Sequence, residues 1–170
     1  MAVLPIRKLP DPVLRQRAKR VTSFDAVLRR LVEDMIDTMH YAHGVGLAGN
    51  QVGALLRVCV IEIPEEQGRV RVLINPEVVS RSGQRELEEG CLSYPGYRGS
   101  TLRSERVTVR AMDLSGKTFT IKAEDDLLAH ALEHETDHLN GRIYLDHLTS
   151  KDAIWTVDEP EPAHAQAPGR

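Results

Sequence analysis

Five residues near the end of the chain, His134-Glu-Thr-Asp-His138, carry two imidazoles four positions apart with a carboxylate beside the first. On an α-helix a step of four returns to the same face about one turn later, so both rings can address one ion. Glu135 lies next to that pair, where it can take a proton from an activated water without binding the ion itself. Two surface histidines and a glutamate would give the same letters, and a pattern with two free positions also arises by chance. The neighbours Leu127, Leu128, Ala131, Leu132 and Leu139 put this one on an otherwise apolar helix face, which favours a buried metal site.

A catalytic ion takes three protein ligands and keeps one position open. The extended metzincin spacing would place a third histidine ten residues after His134, but that position is Tyr144. A downstream glutamate of the thermolysin kind would have to come from the short stretch after His138, where no second helix is evident. The remaining candidate lies upstream, at Glu89-Gly-Cys-Leu-Ser93. The other cysteine, Cys59, stands between Val58 and Val60 in an apolar run and reads as a small core residue. Two cysteines are too few for a disulfide scaffold.

Something must hold these residues. Apolar positions Phe24, Val27, Leu28, Leu31, Met35, Ile36 and Met39 recur at helical spacing, predicting a helix from Phe24 to about Tyr41 with Ser23 as its cap. A Gly-rich loop, 44–53, follows, and then two Val- and Ile-rich stretches, 57–63 and 70–74, that read as strands. Residues 106–112 and 117–123 flank the turn sequence Asp113-Leu-Ser-Gly116 and predict a hairpin. The motif-bearing helix should begin near Glu124, in an acidic stretch that suits a helix N-terminus, and stop at Asn140-Gly141. Strands followed by a metal-bearing helix, with another helix ahead of them, make α+β the expected class. The expected architecture is mixed, mostly antiparallel sheets packed around the C-terminal helix. Residues 1–150 are expected to form a single catalytic domain and 151–170 a flexible tail.

Composition narrows the partners. A net charge of -3, with Arg and Lys interspersed among acids, gives no general attraction to nucleic acid. No apolar run approaches the roughly 20 residues of a membrane helix, and residues 1–20 lack the apolar core of a secretory signal. A cytoplasmic protein is expected.

The segments Gly44-Val-Gly-Leu-Ala-Gly-Asn-Gln51, Glu89-Gly-Cys-Leu-Ser93 and His134-Glu-Thr-Asp-His-Leu-Asn-Gly141 resemble, in the same order, the three motifs of peptide deformylases. The resemblance extends to Pro10-Asp-Pro-Val-Leu-Arg15 and Ile74-Asn-Pro76, and so covers nearly all of the expected domain. It implies hydrolysis of the N-formyl group of formylmethionine on new polypeptides, with release of formate. It also implies Cys91, His134 and His138 as ligands of one divalent metal ion per chain. A thiolate and two imidazoles suit a divalent transition metal, typically iron(II) or zinc, and leave its identity open; iron(II) is the expected native ion, with zinc or nickel as alternatives.

By the same resemblance Glu135 is the general base, the Gln51 side-chain amide and the Leu92 backbone N–H stabilise the oxyanion, and Val45, Gly46 and Gly90 bind substrate. Asp137 would pair with Arg103, unless both are solvated. His130 is expected in the pocket wall, and His40, His43, His147 and His164 at the surface or in loops. Gly49 stands where the family commonly has Ala, and Glu133 where it has Gln. The first is expected to loosen the Gln51 loop and the second to add negative charge near the ion. Transient ribosome contact is a further hypothesis, although Pro160, Pro162 and Pro168 do not suit the long C-terminal helix that some members use. Two rival functions are a metallopeptidase, which would cleave unformylated chains, and a non-catalytic metal-binding module, which would not need Glu135.

Overall fold

The computed structural model describes residues 2–157. In chain order they form α1 (Ala26–Tyr41), β1 (Gly46–Ala48), β2 (Val58–Ile61), β3 (Arg71–Ser82), β4 (Arg85–Glu89), β5 (Tyr97–Arg103), β6 (Arg106–Met112), β7 (Thr118–Glu124), α2 (Leu127–Leu139) and β8 (Ile154–Thr156). Short 3-10 turns connect several of them.

β2 explains the layering. Val58-Cys-Val-Ile61 has no polar position, so as a strand it must be covered on both faces. Val58 and Val60 point into a cluster with Leu28, Val32, Met35 and Met39 of α1, whereas Cys59 and Ile61 point into one with Ala129, Leu132 and Leu139 of α2. The two helices therefore lie on opposite faces of one five-stranded sheet, of order β1-β2-β3-β6-β7. β4, β5 and β8 form a second, three-stranded sheet. Every strand pair is antiparallel, with one isolated parallel bridge between Lys19 and Leu56. This is the expected α+β arrangement. Among the described residues no helix is long and apolar enough to cross a membrane.

Several boundaries differ from expectation. α1 starts after Asp25, whose carboxylate accepts from Leu28 N at 3.0 Å, so Asp25 rather than Ser23 is the cap, and Val27 is left 78% exposed. α2 starts after Asp126, which accepts from Ala129 N, because Glu124 still belongs to β7. At the other end Gly141 takes a φ of +75° just past Asn140, as a helix-stopping glycine should. The expected hairpin is present, with Arg106↔Glu124 through Met112↔Thr118 in register. β4 and β5 are not evident in the sequence, since Arg85-Glu-Leu-Glu-Glu89 is too charged for an apolar alternation. β8 falls in the stretch expected to be tail, yet Ile154–Thr156 pairs with β5. The rest of that expected tail, 158–170, and His164 with it, lies outside the described residues.

Candidate metal centre and active site

α2 is buried along most of its length, and its one-turn step brings His134 Nε2 and His138 Nε2 to 3.2 Å. The chain enters the same space from the loop after β4, placing Cys91 Sγ 3.3 Å from His138 Nε2. The ligand atoms of Cys91, His134 and His138 all fall within 4.8 Å of one another, close enough to share one ion. Burial alone would raise the Cys91 thiol, but His138 and His134 beside it bring it down to about 5, so the thiolate is the available form.

Glu89 decides which nitrogen His134 presents. Its Oε2 is 2.5 Å from His134 Nδ1, which leaves Nε2 facing Cys91 and His138. Glu89 also accepts from Thr101 Oγ1 at 2.7 Å and from Arg103 Nε and Nη2 at 3.0 and 2.7 Å. Antiparallel register, Glu89↔Gly99 and Leu87↔Thr101, sets these donors beside it. Arg103 Nη1 continues to Asp137 Oδ2 at 2.7 Å, so the expected Asp137 partner is correct and the pair is buried, not solvated. His147, partly exposed in the short 3-10 turn after α2 as a loop reading expects, has its Nε2 2.9 Å from the same Asp137 oxygen.

Glu135 is buried, and its Oε2 has no hydrogen-bond partner among the described residues. Burial raises its carboxyl above the ordinary range, against the pull of His134 and His138. β1 passes so close that a Cβ on Gly46 would lie 2.5 Å from Glu135 Oε1. Gln51 sits in the short turn after β1, where Oε1 accepts from Ala48 N at 3.0 Å. That bond aims Nε2 at Ser93 Oγ, 3.1 Å away, and toward Cys91 Sγ at 3.6 Å. Gln51 thus caps its turn and presents its amide to the centre at once.

Val45, Gly46, Gln51, Gly90, Cys91, Leu92, His134 and Glu135 line one cavity of about 570 Å³, with His130 in its wall as expected. His138 closes the centre from beneath and is wholly buried. Neither sequence departure behaves as expected. Glu133 faces away from the centre: its Oε1 accepts from Ser104 N at 2.8 Å, and its Oε2 from Ser104 Oγ and Arg81 Nε at 3.0 Å each. It fastens α2 to the turn between β5 and β6. At Gly49 a Cβ would meet the carbonyl oxygens of Leu56 and Ala54 at 2.6 and 2.7 Å, so this glycine marks tight packing and not looseness. Glu89 opens the Glu89–Ser93 motif, whose letters alone assign it no role. The habit of metal-bound histidines to donate their second nitrogen to a carboxylate is the signal that could have found it. Nothing in the sequence signals His147.

A helix-borne pair of histidines, a thiolate from a sheet-flanking loop and a buried glutamate beside them define the class as a metal-dependent hydrolase. Comparison with known proteins narrows it. The family model for polypeptide deformylase matches residues 3–153. A peptide deformylase of Dehalococcoides mccartyi strain CBDB1 is 49% identical over 157 residues, 92% of this chain and 93% of the relative. The crystal structure of a peptide deformylase from Legionella pneumophila superposes with a TM-score of 0.84 at 44% identity, covering 98% of this chain and 92% of the other. One from Synechococcus elongatus, solved in complex with actinonin, gives 0.83 at 40% identity over 87% of this chain and 82% of its own. The chain belongs to the polypeptide deformylase family.

Proposed function

We propose that this enzyme hydrolyses the N-formyl group of formylmethionine on nascent polypeptides, with Cys91, His134 and His138 holding one divalent ion, iron(II) natively. The observation that carries the assignment is the convergence of three ligand atoms within 4.8 Å beside a buried glutamate oxygen that has no hydrogen-bond partner among the described residues. The donor set fits such an ion: one thiolate and two imidazoles, with the outward nitrogen of His134 held by Glu89. When bound, the ion supplies Lewis-acid polarisation of the formyl carbonyl and makes water more acidic.

The remaining steps fall to the chain. Glu135 takes the proton from the attacking water and returns it to the departing amine nitrogen, one carboxylate acting as base and then as acid. Its raised affinity for a proton suits that exchange. Gln51 Nε2, preset by its bond to Ala48, and the Leu92 backbone N–H donate to the oxygen that becomes negative in the tetrahedral intermediate. Val45, Gly46 and Gly90 hold the substrate main chain against the cavity wall. The catalytic domain runs past the expected limit at residue 150 to include β8, Ile154–Thr156, and works in the cytoplasm where formylated chains emerge.

Formate release from a formyl-Met tripeptide, by anaerobically purified enzyme loaded with iron(II), tests this reading beside a Glu135→Ala variant that retains metal. Release by the parent and near-loss in the variant supports it. No release by a folded, metal-loaded parent overturns it in favour of a peptidase or a metal-binding module. Transient docking on the ribosome is a separate part of the proposal. Cosedimentation with ribosomes, with and without the residues after Lys151, tests it, and absence of binding by either form removes it.

A further inference from the structure

We infer that the exposed cations of residues 15–20, continued by Arg142, form a docking surface for the phosphodiester backbone of RNA. The chain as a whole carries a net charge of -3, yet between Asp11 and Asp25 it holds Arg15, Arg17, Lys19 and Arg20 and no acidic residue. All four are exposed, and none lines the cavity of the metal centre. The segment is fastened to the body through its backbone. Buried Ala18 N donates to Leu139 O at 2.9 Å, at the end of α2, and Lys19 N to Leu55 O at 2.8 Å, while Lys19 O accepts from Arg57 N at 2.8 Å. Val21 N donates to Asn75 Oδ1, also at 2.8 Å. With the backbone held inward, the long side chains are presented to solvent. The turn after α2 abuts the same segment, since a Cβ on Gly141 would lie 2.6 Å from Arg15 O, and exposed Arg142 follows it.

These cations lack counter-charges. Arg15 pairs with Asp146 at 2.7 Å, but among the described residues no carboxylate pairs with Arg17, Lys19, Arg20 or Arg142. Arg57, bonded to Lys19 through its backbone, turns its guanidinium to Leu139 O and Asn140 Oδ1 at 2.9 and 3.0 Å. Burial lowers its hold on a proton, and the charge of Arg17 lowers it further. A row of like charges fixed along one backbone suits a polyanion, whose charge also repeats along its length. A membrane surface fits less well. Basic side chains there are joined by apolar ones that insert, and none of the exposed large apolar residues lies between Asp11 and Asp25. The choice of RNA rests on the deformylase reading, since nascent chains are still attached to the ribosome, whose surface carries RNA phosphate. Phosphate contacts read charge and not bases, so the docking is independent of sequence.

Fluorescence anisotropy of the full chain with labelled single-stranded RNA of two unrelated sequences tests the surface, and cosedimentation with ribosomes tests its source. Both RNAs are expected to bind alike. Four phosphate contacts to a single strand predict a log–log salt slope of about -3, or about a fiftyfold loss between about 50 and 200 mM salt. Replacing Arg17, Lys19 and Arg20 together by Gln is expected to weaken RNA binding about tenfold or more, to flatten the slope to about -1, and to reduce cosedimentation. Replacing Arg30, Arg69 and Lys122 by Gln removes the same charge from other exposed positions and is expected to change none of these. Binding that ignores salt, equal losses in the two triple variants, or undiminished cosedimentation of the first overturns the inference. Tighter binding to phosphatidylserine vesicles than to RNA overturns it in favour of a membrane. Formate release from a free formyl-Met tripeptide should be the same in both triple variants as in the parent. RNA binding is read without turnover, so a parent that binds RNA and releases no formate would overturn the deformylase reading alone.

Discussion

Glu89 Oε2 stands 2.5 Å from His134 Nδ1, so a carboxylate two residues before Cys91 in the chain orients a histidine of the distant helix α2. The two strand-side residues and the helix are thereby one unit. Replacing such a partner of a metal-bound histidine commonly weakens metal affinity about ten- to a hundredfold. Glu89→Gln is expected to do so here, read by chelator competition on the iron- or zinc-loaded protein. Unchanged affinity would show that the ligands orient themselves.

Arg103, 4% exposed, is flanked by Glu89 and Asp137. Burial would raise both carboxyls, yet the surrounding histidines and Arg103 hold them below their ordinary values near 4.5 and 3.8. Groups held low stabilise the fold above those ordinary values, and the contribution shrinks as pH falls from there toward the folded pKa. Arg103→Met leaves two buried carboxylates without their cation and is expected to cost about 3–5 kcal/mol at pH 7. The deficit should narrow as pH falls toward and below those ordinary values, where the parent loses its contribution and the stranded carboxyls of the variant are protonated. Urea denaturation across that range measures it, and a deficit independent of pH would contradict the assignment.

Gly46→Ala puts a methyl group 2.5 Å from where Glu135 Oε1 now lies. The carboxylate has to turn away, and a displacement of about 1 Å in a reacting group can cost on the order of a hundredfold in rate. The expected result is a fall in kcat of that size with metal content unchanged. Full activity would mean that Glu135 is not positioned by β1.

Glu133 joins α2 to Ser104 and Arg81 through both of its oxygens. Glu133→Ala strands a backbone N–H and a hydroxyl and is expected to lower stability by about 1–3 kcal/mol, whereas Glu133→Gln keeps one acceptor and costs less. Thermal unfolding of the apo and metal-loaded forms measures the difference. An equal loss in metal affinity for the two variants would instead point to charge near the ion.

Gly49→Ala brings the side chain that is common elsewhere in the family against two backbone carbonyl oxygens at 2.6 and 2.7 Å. Backbone yields less readily than a side-chain tip, so a loss of about 1–3 kcal/mol is expected for this overpacking. Denaturant midpoints would show it, and a stabilised variant would mean that the loop can retreat.

The sequence by itself determined the elements whose pattern repeats locally. The four-residue step of His134 and His138 on an apolar face predicted a helix, the β6–β7 hairpin was written in Asp113-Leu-Ser-Gly116, and the order of three motifs pointed to the proposed ligand set. Tertiary structure alone decided contacts between residues far apart in the chain. Strand register chose Thr101 and Arg103 as partners of Glu89, the packing of α2 turned Glu133 away from the centre toward Arg81, and the fold carried His147 back to Asp137. β4 and β8 stayed hidden because their pairing with β5 rests on backbone hydrogen bonds, to which charged Arg85–Glu89 and short Ile154–Thr156 contribute as readily as an apolar strand. Local spacing fixes which face of one element a side chain occupies. Which other element meets that face depends on how the whole chain buries its apolar surface.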